Sequence, residues 1–365
     1  MTVNYHSDVV GSLLRPGYLK SAREAFEAGQ LSASAFKEVE DRAVDQAIAM
    51  QEGAGLDVVS DGEMRRFMFM GPLSETVEGI SMVEGHTMMW HDLEGNSVEW
   101  PMPFAVTGRL KRTRSMVSEE YSYARGRARK PLKMTVPSPM MLNGFWSPKH
   151  SEGAYPGGAF DMFADCVDII REEINELARL GCEHIQIDAP ELSFAIDPRA
   201  REWLMSMGVD TARMLTDGID MLSALTDTPG VDFSLHVCRG NNEGLFMAEG
   251  GYDEIAQAVF ERSRGFDSFV LEYDDERAGD FAPLSHVPDD KRVVLGLVST
   301  KTATLETVAD ISSRIEDAAK YVDRDRLALC SQCGFASTLL STQMNEQEQE
   351  AKLRLIASAA HEIWG

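Results

Sequence analysis

Thiols are scarce in this chain of 365 residues, which holds five cysteines, an odd number. A disulfide framework is therefore not expected, and the thiols suit metal binding or catalysis in a reducing compartment. Long apolar runs are also missing. No stretch reaches the roughly 18 residues that a membrane span needs. The start, "MTVNYHSDVVGSLLRP", lacks a basic region followed by an apolar one, so no secretory signal is expected and a cytoplasmic location follows. Positive charge is in deficit, with 35 Lys and Arg against 59 Asp and Glu and a net charge of −24. Such a polyanion is not a general nucleic-acid binder. No internal repeat or low-complexity tract occurs. A glycine-rich phosphate loop is missing too: "GSLLRPG" leads into Pro16 rather than into a helix.

What is present is a regular alternation. Short β-rich runs recur at 7–12, 56–63, 132–139, 184–191, 232–238, 268–273, 292–299 and 327–333. Several are nearly all apolar, as parallel strands buried on both faces require. Helical patterns separate most of them. The pattern following Ser32 and Ser34 stops at Gly53 or Gly55, and another stops at Gly181. Eight such strands predict an α/β fold of the (β/α)8 TIM-barrel class, one catalytic barrel over 1–365. A doubly wound open sheet is the second choice. Residues 68–131 read as an insertion after the second strand, with a hairpin around Glu94-Gly95-Asn96. Overlapping its end, 109–133 carries nine Lys and Arg against two Glu, either a solvated excursion or a rim that attracts an anion. The 20 methionines read as core filler.

Active sites of such barrels sit at the carboxyl ends of the strands. "DFSLHVC" puts His236 and Cys238 there at a spacing of two, on one side of the strand. Glu272 ends the sixth run, and Cys330 and Cys333 end the eighth. His236, Cys238, Glu272 and one of the two late cysteines make an N/S/O/S set that suits zinc. "CSQC" is also a candidate redox dithiol, which lacks a helix start beside it.

These residues resemble the cobalamin-independent methionine synthase family, in particular short relatives of its C-terminal catalytic barrel. The likeness runs through "VVGSLLRP", "VVSDGEMRR", "IQIDAPEL", "HVC", "LEYD", "LGLVSTKT" and "CSQCGF". It implies Zn²⁺ held by His236, Cys238, Glu272 and Cys333, the last chosen because Gly334 follows it. It implies that Ser12, Glu63 and Asp188 bind the acceptor, and that an acceptor thiol takes an alkyl group from a small-molecule donor. Lys301 stands where the family has an acid histidine, and is its expected replacement. No counterpart of the full-length synthase's N-terminal barrel is apparent, so a folate donor is in question and a corrinoid protein is an alternative donor. The interval from Cys238 to Glu272 is longer than the family's, and its glycine-rich loop 239–254 brings Arg239 and Asn241 within reach of substrate. Two other activities remain open: an epoxide-opening transferase of the coenzyme M type, and a metal-free decarboxylase of the porphyrinogen type. A non-catalytic subunit with a structural zinc is a third reading. Oligomeric state is not legible.

Overall fold

The computed structural model describes residues 5–365 except 93, 243–244, 340 and 342–343. Its centre is a six-stranded, all-parallel sheet: β5 (Lys133–Pro137), β6 (His184–Asp188), β7 (Asp232–Val237), β8 (Ser268–Glu272), β9 (Arg292–Val298) and β10 (Leu327–Ser331). Spatial order follows chain order. Every residue of β5, β6, β8 and β10 is buried. That explains the unbroken apolar runs.

The two earliest expected strands are not ladders. Each edge of the sheet is instead extended by a single parallel bridge, Ser7 with Leu329 and Val59 with Leu132. The Val58 N–H donates to the Ser7 carbonyl at 3.4 Å, which links the two segments. The cause of the short pairing is local. The Asp57 carboxylate accepts from the His6 and Ser7 backbone N–H groups at 3.1 Å each, taking donors that a ladder would use. A separate small apolar cluster of Tyr5, Val10, Val58, Val270, Val294, Ala328 and Cys330 lies between these segments and β8 to β10. It fixes Cys330 away from the polar strand ends.

Helices cover the sheet and end as their sequences require. Ser32 caps Ala33–Ala54 by accepting from the Ala35 N–H, and Gly55 stops it at φ 96°. Ala159–Leu180 ends on Gly181 at φ 92°. Asn345 and Glu348 form a capping box on Glu346–Trp364.

Four further strands precede the sheet: β1 (Val77–Met82), β2 (Thr87–His91), β3 (Ser97–Pro101) and β4 (Phe104–Arg112). β2 pairs antiparallel with β3 around the Glu94–Asn96 turn; Leu93 lies outside the described residues. β1 pairs antiparallel with β4, a pairing the sequence did not reveal. Its irregular register needs Gly79, where a Cβ would meet the Arg109 carbonyl oxygen at 2.7 Å.

The basic segment pairs with acids of the covering helices. Arg112 pairs with Glu173 and Glu176, Arg127 with Asp45 and Arg129 with Glu52. Glu173 is fully buried and accepts from the Met116, Val117 and Ser118 N–H groups at 2.7–2.8 Å. These hydrogen bonds hold its carboxyl below the usual range although burial alone would raise it. Glu173→Ala would leave three buried donors and Arg112 without this partner. We expect it to lower stability by about 3 kcal/mol in chemical denaturation. An unchanged midpoint would show that water replaces the carboxylate.

Candidate functional site

The strand register brings polar side chains together at the carboxyl ends. Asp188 is aligned with His236, and His236 with Val270. The ligand-capable atoms of His236, Cys238 and Cys333 lie within 4.8 Å of one another. The Cys333 Sγ–H donates to Cys238 Sγ at 3.9 Å. On the imidazole, Nδ1 meets the Val270 carbonyl at 3.2 Å, while Nε2 is buried without a partner. A carbonyl at Nδ1 occupies that nitrogen and leaves Nε2 for a metal, whose binding would displace the Nε2 proton. The hydrogen bond from Cys333 and the nearby imidazole hold the Cys238 thiol well below its ordinary pKa, against burial. The same bond pushes Cys333 up. Burial opposes charge on His236, but Cys238 outweighs it and brings the imidazole up to about 9. Of the two late cysteines, Cys333 joins this group and Cys330 does not, so "CSQC" is not a dithiol in this fold.

Glu272 and Lys301 are arranged otherwise than expected. Glu272 lies outside the three-residue group. Its Oε1 accepts from Lys301 Nζ at 3.0 Å, and its Oε2 from the Arg239 N–H at 2.8 Å. Lys301 also contacts Asp274 at 2.9 Å and Asp275 at 3.0 Å, and it does not line the cavity. Burial works against its charge, but Glu272 and Asp274 raise its pKa further. An ammonium held by three carboxylates is a poor proton donor, which corrects its expected role as an acid. Arg239 is likewise turned away. Its guanidinium binds the Gly250 and Glu272 carbonyls and Tyr252. Asn241 does line the cavity, and donates to Thr300 at 3.2 Å. Glu243 and Gly244 of the same loop lie outside the described residues.

Ser12, Glu63 and Asp188 face the same cavity, of about 140 Å³, as His236, Cys238 and Cys333. Ser12 donates to Glu63 Oε2 in a short hydrogen bond, and Thr135 donates to Oε1 at 2.5 Å. Glu63 has φ 54°, the one non-glycine residue at positive φ among those described. Such backbone costs roughly 1–3 kcal/mol and persists where the surroundings fix it. Here they do: Arg66 Nη1 is 3.2 Å from Glu63, and Arg66 Nη2 is 2.9 Å from Glu120. Asp188 accepts from Gln186 at 2.7 Å, which is tied through Lys133 to Asp8. Burial pushes Asp188 up to about 7. Burial also brings Glu191 up to about 8; it is engaged by Ser138 and does not line the cavity.

The rest of the lining was missed. Met68, Met70, Met88, Met102, Met141 and Met247 line the cavity, so not all methionines are core filler. Trp90 and Trp100 join them from the β2–β3 hairpin. Strand alternation puts Trp90 on the face of Met88, and Trp100 is the cross-strand partner of Met88. The Arg66 ion pairs were missed as well, because their partners are over 50 residues away or three residues along a turn.

Residues 7–362 match the family model described as "Cobalamin-independent synthase, Catalytic domain". The chain belongs to this family. It is a methionine synthase-like methyltransferase with an α/β fold of that type. It is 32% identical to the uncharacterized protein YxjH of Bacillus subtilis, over 99% of this chain and 95% of that one. It is 27% identical to a methionine synthase of Sulfolobus acidocaldarius, over 90% and 84%. A putative vitamin-B12 independent methionine synthase from Listeria monocytogenes superimposes with a TM-score of 0.75 at 27% identity, over 100% of this chain and 99% of that one. The corrinoid donor finds no support in these relatives. No helix among the described residues is long and apolar enough to cross a membrane.

The paired thiols can be checked directly. In metal-free protein, ultraviolet absorbance should show a Cys238 thiolate persisting below the ordinary thiol pKa of about 8.5. Cys333→Ala removes the hydrogen bond and should move that titration upward. A titration indifferent to Cys333 would show that the thiols do not interact.

Proposed function

We propose that this chain transfers a methyl group to the thiol of homocysteine, using zinc held by His236, Cys238, Cys333 and Glu272. One observation carries the reading: a buried, unpartnered imidazole nitrogen sits with two thiols on the cavity that Glu63 and Asp188 face. Two sulfurs and an imidazole nitrogen are a donor set suited to zinc. Glu272 can complete it without losing its present partners, since each carboxylate oxygen has two lone pairs. When bound, zinc would keep the acceptor sulfur as a thiolate at neutral pH.

The chain's own residues do the rest. Glu63 and Asp188 hold the acceptor's ammonium and thereby aim its sulfur. Ser12, Thr135 and Arg66 hold Glu63 in place. Lys301 and the Arg239 N–H position Glu272. A sulfonated acceptor of the coenzyme M type is disfavoured, because no Lys or Arg lines the cavity among the described residues. A metal-free decarboxylase gives the thiol group no work. We read the bridged segments at Ser7 and Val59 as the first two staves of a single barrel over 1–365, with 68–131 inserted above it. The five free cysteines suit a reducing cytoplasm, where we place the enzyme.

Two measurements check this reading. Purified protein should hold one zinc per chain, and homocysteine should change the cobalt–thiolate absorption of a cobalt-substituted sample. Cys238→Ser should weaken metal affinity by more than the roughly 10–100-fold that loss of an outer partner costs. Absence of stoichiometric metal would discard the mechanism. The second uses methionine, which has the ammonium but no thiol. Asp188 is neutral below about 7 and charged above it, so methionine affinity should rise as pH passes upward through that value. Asp188→Asn should flatten the profile; a slope that survives would assign the ammonium to other groups.

A further inference from the structure

The acceptor half of the cavity leaves the alkyl donor undefined, and the remaining walls bear on its chemistry. We propose that the donor is a small methylsulfonium cation rather than a methylated folate; this rests on the thiol-transfer reading above.

The first observation is the shortage of proton donors among the described residues. A methyl group leaving a tertiary amine, as in a methylated folate, needs the departing nitrogen protonated. A sulfonium leaves as a neutral thioether and needs no acid. The residue expected to act as the acid, Lys301, is held by Glu272, Asp274 and Asp275 and does not line the cavity. Glu191 is fully buried and does not line it either. Glu63 already accepts from Ser12 and Thr135, and Asp188 is needed as an anion for the acceptor's ammonium.

The second observation is the wall itself. Trp90 and Trp100 face the cavity beside Met88, Met102 and Met247. Aromatic faces attract cations, and thioether sulfurs are polarizable. The hairpin carrying the two tryptophans is fixed over the site. His91 and Phe246 exchange backbone hydrogen bonds at 2.8 and 3.0 Å, and His86 Nε2 meets the Gly144 carbonyl at 2.8 Å. No Lys or Arg lines the cavity among the described residues, and the sequence has none at the undescribed positions. A glutamylated or phosphorylated donor would meet carboxylates with no lining Lys or Arg among the described residues. A sulfonium meets the charge it needs.

The step balances without redox change. The acceptor thiol releases its proton to solvent. Its sulfur lone pair forms a new bond to the methyl carbon. The bond from that carbon to the sulfonium sulfur breaks, and its electron pair stays on the departing thioether. One thioether product and one methylated acceptor result.

The test uses zinc-loaded enzyme with homocysteine and two donors side by side, S-methylmethionine and 5-methyltetrahydrofolate in its triglutamate form. Methionine isotopically labelled in its methyl group should form from the sulfonium at least about 100-fold faster, a difference of about 2.7 kcal/mol in barrier. Trimethylsulfonium should quench tryptophan fluorescence on binding. Trp100→Leu, at a half-exposed position, should weaken that binding about 2–30-fold, the range for a cation over an aromatic face. The same variant should leave the homocysteine-induced change in cobalt absorption intact. Equal or faster turnover with the folate, or no saturable binding of trimethylsulfonium, overturns the inference. Loss of the cobalt response in unmutated protein would instead sink the thiol-activation reading. The fluorescence titration still decides the sulfonium site in that event.

Discussion

The parallel register of β6 to β10 is the constraint on which the site depends. Parallel strands end together, so side chains at their carboxyl ends converge without any long-range adjustment. Asp188 opposes His236, and Glu272 opposes Gly296. At Gly296 a Cβ would lie 2.8 Å from Gln332 Cα and 2.9 Å from the Leu271 carbonyl oxygen. That glycine lets β8 and β10 close on β9 where the register shifts between Cys330 and Ser331. The shift matters chemically, because it lies just before Cys333, the thiol that must reach Cys238. A larger residue at 296 would press on Gln332, the neighbour of Cys333, and on Leu271 of β8.

Much of this was legible in the sequence, and the reasons are physical. Six of the eight expected strands form ladders, because strands buried on both faces announce themselves as apolar runs. His236 and Cys238 were legible because alternation puts residues two apart on one face. The early segments at 7–12 and 56–63 make single bridges, and at the first a side chain, Asp57, takes backbone donors of His6 and Ser7. No pattern of hydrophobicity reveals that competition. The cavity wall was hidden for a different reason. Methionine suits a core and a substrate pocket equally, and only the fold decides which of them face empty space.

Lys301 shows where reasoning from one position stops. Its place after β9 suggested an acid. Its chemistry is set by "LEYDD", which supplies Glu272, Asp274 and Asp275 within four residues. Three carboxylates around one ammonium stabilise the charged form, so the proton is held rather than donated. The cluster was present in the sequence as a charge run, but its facing the lysine is a fact of strand adjacency.

The same electrostatics separate the two carboxylates that face the cavity. Glu63 and Asp188 are both buried, and a buried carboxylate needs partners. Glu63 has a buried guanidinium, Arg66, at 3.2 Å, two hydroxyl donors, and a backbone held at positive φ to meet them. Asp188 has only an amide donor and the imidazole of His236 to offset burial, and titrates near 7. The charge of Asp188 therefore depends on what enters the cavity. An incoming ammonium stabilises the charged form of Asp188 and is stabilised by it. On the proposed reading, binding of the acceptor's ammonium and ionisation of this carboxyl are linked. That linkage would discriminate against thiols that lack an ammonium: they would leave Asp188 either protonated or as an uncompensated buried anion.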